Sequence, residues 1–526
     1  MSHMVPADLI IENVSVITMD PLCPYAKGVV ISNGKILELI RHDDNKNWPL
    51  APGGERVDGN GMSILPGLID AHCHLRAQIS QNLSVPCGRE DVTNIEDIIL
   101  TIRERSKSLP VGSWIRATGY DFFHQTDKRY PTRWDLDKAT TNHPVRLRHV
   151  TRHASILNSK ALELAGIGTE FSEPIGITVE RDPDTKTPTG LIYGGDAWLS
   201  QDVIPPLTSK ELHIGAQNLQ TKLLSKGITS VQDATPTNSI FDLKFWSRQM
   251  ESDWVIAIQM MTEMKNYDIM KNFLKNNKTL ESSNALEMGP IKVVMESLPQ
   301  LYPDSFELSR LAIEATLRGV PLAIHVVDPE MVWSALEAIR HATDLFPQEK
   351  IQHRLEHLSL CPEAFLPDIS ELDIIVVTNP SLVHDHGDRY LSEVEISEHS
   401  WLYRMNSLLS NGIPMAAGSD APVATFNPWI GIQTACTRAT SSGKTLGTSE
   451  KTSRWQALKL YTTGAALAAG WQKKKGMIRP GFQADIIALD QNPLTCKVDS
   501  LVDIHVLCTW IRGILVYKNL LQKNKR

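Results

Sequence analysis

A chain of 526 residues, 42% hydrophobic and 21% charged, can bury large cores and divides into roughly two to four structural units. Its net charge of -7 argues against a nucleic-acid partner or an acidic membrane surface, and no apolar run approaches the ~18 residues of a membrane span. Seven cysteines, odd in number and without C-x-x-C spacing, exclude a disulfide framework and fit a reducing compartment, so a cytoplasmic protein is expected.

Short strand-like runs open the chain at Leu9–Ile11, Val14–Ile17, Gly28–Ile31 and Lys35–Ile40, with Ser32-Asn33-Gly34 as the hairpin turn joining the last two. Ala484–Leu489 and Val506–Val516 repeat the style near the other end. Residues 1–62 and 478–526 are therefore expected to form one small β-sandwich built from both termini. Between them, strands alternate with helical stretches such as Phe306–Arg318 and Pro329–Thr343. The eight strand candidates are Ser63–Asp70, Gly227–Asp233, Trp254–Met261, Ile291–Glu296, Val320–Val327, Arg354–His357, Asp373–Thr378 and Pro414–Asp420. Most are short and rich in Val and Ile, as strands buried on both faces are. The pattern predicts an α/β protein, a (β/α)8 TIM-type barrel over residues 63–85 and 205–477. About 150 residues separate the first two strands, far beyond a normal βα loop. Residues 86–204, with elements at Ile95–Ser108, Trp114–Tyr120, Val145–Val150 and Ser159–Ala165, read as a subdomain inserted after the first barrel strand and covering the barrel mouth.

The first barrel strand ends Asp70-Ala71-His72-Cys73-His74. Strand side chains alternate faces, so His72 and His74 share one and Cys73 points away as a packing residue. Two converging imidazoles can grip a divalent cation; alone, such a pair also fits two polar residues leaving a strand. The other strand ends add Lys292 and Glu296 in the fourth, His325 in the fifth, His357 in the sixth and Asp420 in the eighth, on the rim where barrel enzymes carry their chemistry. Asp70 shares the face of the two histidines, and Asp233 either reaches the site or caps a helix. A second H-x-H, His384-Asp385-His386, follows the seventh strand and reads as a flexible charged loop.

These segments, together with Leu65–His74, Gly227–Asp233, Ala323–His325, Arg354–His357, Ala417–Val423, Asn427–Trp429 and Gly476–Asp485, resemble the amidohydrolase superfamily in its YtcJ-like (amidohydrolase-3 type) branch. The likeness runs from residue 8 to residue 517 and enters the insertion through Arg152-His153, Asn158–Leu162 and Thr187–Gly190. The resemblance implies a metal-dependent hydrolase of an amide-type C–N bond (N-acyl, N-formyl or cyclic amide) in a small molecule. It implies one or two divalent ions, zinc by preference: His72 and His74 on the more buried ion, His325 and His357 on the outer one. Lys292 would be carboxylated (N6-carboxylysine) to bridge them, and Asp420 would act both as ligand and as the general acid/base for a metal-activated hydroxide. The family's Asp-Gly pair after that lysine is replaced by Met295-Glu296-Ser297, which makes Glu296 an alternative ligand. Expected substrate contacts are Tyr120, Arg152, His153, Glu296 and Trp429. A mononuclear deaminase or lyase-like member is the alternative chemistry, and a non-catalytic scaffold barrel the third reading. No nucleic-acid or membrane partner is expected, and a homodimer is left open.

Overall fold

The computed structural model describes residues 5–41, 47–88, 90–123, 125–151, 153–174, 176–277, 285–297 and 300–519. The chain divides into two compact units, residues 1–75 with 220–526, and residues 76–219.

The first unit holds eight parallel strands in the order Leu68–Cys73, Ile228–Asp233, Ala257–Thr262, Leu286–Val294, Leu322–Val326, Arg354–His357, Ile375–Thr378 and Met415–Ala417. The last returns to the first through two backbone bonds, Asp420 N–H to His72 O at 2.8 Å and His74 N–H to Ala421 O at 2.9 Å, which close the barrel at its carboxyl rim. Strands such as Ile375–Thr378 are buried at every position because the barrel interior takes one face and helices the other. The helices are locally specified. Asp304 and Asp328 cap Ser305–Leu317 and Pro329–Leu345 by accepting from the Glu307 and Met331 amides, and Pro329 fits the first helical turn. Ile324, Leu355 and Val376 meet Leu336 and Ile339 in the core between the two layers.

The single first strand expected over 63–70 is in fact two strands in different sheets. Ser63–Pro66 pairs with Ile486–Leu489 and Ser15–Ile17, and only Leu68–Cys73 joins the barrel. Gly67 is the hinge. Its N–H donates to Asp485 O at 2.8 Å, and a Cβ there would lie 2.2 Å from Thr229 Oγ1. An unbroken apolar run hides this change of sheet because both pieces are buried on both faces.

The terminal strands form two sheets. One runs Lys35–Ile40, Gly28–Ser32, Ala7–Glu12, Leu50–Asp58; the other runs Ile514–Lys518, Val506–Ile511, Ile486–Leu489, Ser63–Pro66, Ser15–Ile17, Tyr25–Ala26. Leu9, Ile11, Val29 and Ile31 from the first share one core with Ile64, Ile486, Ala488 and Trp510 from the second, which makes them a sandwich.

The second unit has its own six-stranded sheet, in which Ile115–Tyr120 and Val145–His149 are parallel neighbours. The helix Ile95–Ser106 packs Ile98 and Ile102 into a core with Tyr120, Leu147 and Ile156. Among the described residues, no helix is long and apolar enough to cross a membrane.

Candidate metal centre

The strand ends of the barrel bring His72, His74, His325, His357, Lys292 and Asp420 together. The Nδ1 of His72 is bonded to the Glu356 carboxylate. A carboxylate only accepts, so Nδ1 carries the proton and Nε2 presents its lone pair to the site. Glu356 is held in turn by Arg354, two residues earlier on the same strand face, through Nε to Oε1 at 2.5 Å and Nη2 to Oε2 at 3.1 Å. The guanidinium also donates to Gln232 Oε1 at 2.5 Å and Ala71 O at 2.8 Å, anchoring the chain to the second and first strands. Burial opposes ionisation of Glu356, but the charges of Arg354 and His72 outweigh it and hold the carboxyl well below the usual range. Burial, reinforced by Lys292, pushes His72 down to about 3, which leaves it neutral and able to ligate.

His74 bonds Thr235 Oγ1 through Nδ1 at 3.0 Å and Asp420 Oδ1 through Nε2 at 3.1 Å, and the same oxygen lies 3.4 Å from His72 Nε2. One ligand atom from each of His72, His74 and Asp420 falls within 4.8 Å of the other two. His357 donates from Nδ1 to Asn379 Oδ1 at 2.7 Å; the Asn379 amide is oriented by its own bond to Gly418 O at 3.0 Å. Its Nε2 is thereby left as an acceptor. The rings of His72 and His357, and of His357 and His325, have centroids 4.6 Å apart.

Backbone geometry serves the same end. His357 and Asp420 occupy the left-handed region at φ 70° and 57°, a strain that persists only where surroundings enforce it. Asp70 does some of that enforcing: it accepts from Ser419 N at 2.9 Å, Ser419 Oγ at 2.6 Å and His72 N at 3.2 Å, and burial raises its pKa to about 6. Gly418 lets the eighth strand pass the first, since a Cβ there would lie 2.4 Å from His72 Cβ. Burial would raise Asp420, but the hydrogen bond from His74 and the surrounding imidazoles outweigh it and keep the group a carboxylate. Lys292 is buried with no hydrogen-bond partner for Nζ among the described residues, and burial lowers it to about 8. The Nε2 atoms left as acceptors on His72 and His357, an ionised carboxylate and an unpaired buried amine suit a divalent cation.

The sequence profile of the amidohydrolase family matches residues 55–517. The chain belongs to the amidohydrolase family. As a member it is a metal-dependent hydrolase acting on carbon–nitrogen bonds other than peptide bonds. It is 28% identical over 540 residues to the N-substituted formamide deformylase of Arthrobacter pascens, with 97% of this chain and 98% of that protein covered. It is 24% identical over 528 residues to the protein YtcJ of Bacillus subtilis (strain 168), covering 94% and 96%. The structure of a metal-dependent hydrolase from Pyrococcus horikoshii OT3 has the same fold, with a TM-score of 0.71 at 22% identity over 93% of this chain and 99% of that one.

The remaining expected site residues of this amidohydrolase lie elsewhere. Glu296 is exposed and its backbone pairs with Tyr302, so it does not join the histidines as an alternative ligand. Trp429, expected as a substrate contact, is fully buried in the barrel core on the helix Pro428–Thr437, whose cap Asn427 accepts from its backbone N–H. Tyr120, expected as a substrate contact, is buried in the second unit with its hydroxyl bonded to Arg129 O. His153 is exposed in that unit, and Arg152 lies outside the described residues. Asp233 accepts from Thr235 N at 3.0 Å and so positions the partner of His74. His384 and His386 sit on a helix, Pro380–Glu393, and not on a loop, so their i, i+2 spacing puts them on nearly opposite faces. Sequence reasoning passed over Glu356, Thr235 and Asn379. Period-two alternation from Arg354 gives Glu356 its inward face; the other two sit just beyond strand ends, where no pattern marks them.

Proposed function

We propose that this amidohydrolase cleaves the acyl–nitrogen bond of small N-formyl or short N-acyl amides, with Asp420 as general acid/base. One observation carries the reading: an ionised Asp420 oxygen stands 3.1 Å from His74 Nε2 and 3.4 Å from His72 Nε2, at the point where the ligand nitrogens converge. The full-length likeness to a formamide deformylase directs the substrate class toward formyl groups. Zinc is the ion we propose, with His72, His74 and Asp420 holding one and His325 with His357 able to hold a second. Lys292 suits carboxylation because burial favours its neutral amine, the form that adds carbon dioxide: the N–C bond forms, one proton leaves, and the resulting anion would be able to hold a divalent ion. A bound divalent ion would supply a low-pKa water and polarise the amide carbonyl.

The residues do the rest. Asp420 accepts the water's proton and delivers it to the leaving nitrogen, without which an amide cannot expel an amine. Glu356 keeps His72 in the ligating tautomer, and Asn379 does the same for His357. The seven free cysteines support a reducing, cytoplasmic setting. Asp420→Asn should lower kcat by about 10³-fold on an N-formyl amine while most of the bound metal is retained. Unchanged turnover, or full activity in a chelator-stripped preparation, would overturn the proposal; preference for the N-acetyl over the N-formyl form of one amine would overturn its substrate class.

A further inference from the structure

A second polar feature, tied to the segments that follow His357 and Asp420, is not used by the reading above. Tyr390 and Tyr403 join their hydroxyls at 3.2 Å. They stand in a small apolar cluster with Leu382, Val383, Leu402 and Leu446, separate from the barrel core. Both are tied to the catalytic rim. Tyr403 donates its N–H to Ser359 O at 2.8 Å, two residues after His357, and Leu402 bridges Leu360. The helix bearing Tyr390 is pinned to the segment after Asp420, through His386 Nε2 to Val423 O at 3.2 Å and Thr425 N–H to Asp385 Oδ2 at 2.8 Å.

The placement of Tyr403 is enforced. Its φ is 43°, in the left-handed region that a bulky residue avoids. The buried guanidinium of Arg438 holds it there, donating to Tyr403 O at 2.8 Å and Leu402 O at 2.7 Å. A strained, over-determined backbone next to a reaction centre points to function.

Proton bookkeeping sharpens this. Two phenols carry two protons, and the single link between them uses one. The second has no acceptor within the pair, and neither hydroxyl bonds Asp420 among the described residues. Tyr403 is buried, whereas Tyr390 is only partly so, which makes Tyr390 the phenol with surface left from which to donate. Burial, with the Asp420 charge adding to it, raises the pKa of both phenols, so they remain donors and sit within reach of that carboxylate's field.

We propose that Tyr390, backed by Tyr403, is a catalytic residue that donates a hydrogen bond to the substrate's carbonyl oxygen as negative charge builds there. Tyr403 is its positioning residue. The proposal rests on the hydrolase reading, and the experiment separates the two. Tyr390→Phe keeps the ring and its apolar packing while removing the donor. It should lower kcat by about 10²-fold, the loss typical of one oxyanion donor, with KM, metal content and melting temperature near wild type. Tyr403→Phe should lower kcat less, and the double variant should be no worse than Tyr390→Phe, because one residue acts through the other. A kcat for Tyr390→Phe within twofold of wild type, on a substrate where Asp420→Asn is inactive, overturns the role of Tyr390 and leaves the hydrolase reading standing. Additive losses in the double variant overturn the relay.

Discussion

At the scale of single residues, the centre depends on a charge that touches no ligand directly. Arg354 is buried to 1% exposure and meets one anion, Glu356, which is fully buried too. Glu356→Gln keeps an oxygen that can accept from His72 Nδ1 but strands the guanidinium without its counter-charge. Breaking a buried ion pair from one side costs about 3–5 kcal/mol. Loss of the group that orients a ligand histidine weakens metal binding by about 10–100-fold. The variant should therefore unfold at lower urea and give up its metal to a weaker chelator. Wild-type values in both measurements would mean that the pair neither stabilises the barrel nor sets the tautomer of His72.

At the scale of the element, the close passage of the first and eighth strands shapes the site. Gly418 lies where any Cβ would press on His72, and the Asp420 and His74 amides stitch the two strand ends together. Gly418→Ala forces these strands apart, an overpacking that costs about 1–3 kcal/mol and moves His72 relative to Asp420. Activity should fall more steeply than stability, as read by kcat against the urea midpoint; equal small losses would show that the rim yields. This also explains which parts were legible in the sequence. Val- and Ile-rich runs located the eight strands, and alternation put His72 and His74 on one face. Residues whose roles come from leaving the regular strand were not legible as geometry: Gly67 turns the chain between sheets, while His357 and Asp420 reach inward through left-handed backbone. Trp429, read from a family motif, and Tyr120, read from its place in the insertion, both pack into cores, and neither kind of reading carries information on burial.

At the scale of the whole molecule, the two ends of the barrel answer to different demands. The carboxyl rim carries the chemistry; the amino end carries stability, and His353 sits there. It precedes the sixth strand, accepts the N–H of Leu322 at Nδ1 at 3.0 Å, and its carbonyl accepts from Ile375 at 3.0 Å. Burial lowers its pKa from 6.5 to about 4. The unfolded chain, where the group titrates near 6.5, therefore binds more protons than the folded chain between pH 6.5 and 4. Stability is full above that window and falls as pH drops through it. A gap of that size corresponds to about 3 kcal/mol at ~1.4 kcal/mol per pH unit. The loss belongs to the unit containing the barrel, so urea unfolding followed by a probe in residues 1–75 or 220–526 should carry the slope. His353→Gln keeps an acceptor for Leu322 and removes the titration. It should flatten the dependence between pH 6.5 and 5 without changing kcat, and an unaltered slope in this variant would assign the acid sensitivity to other groups.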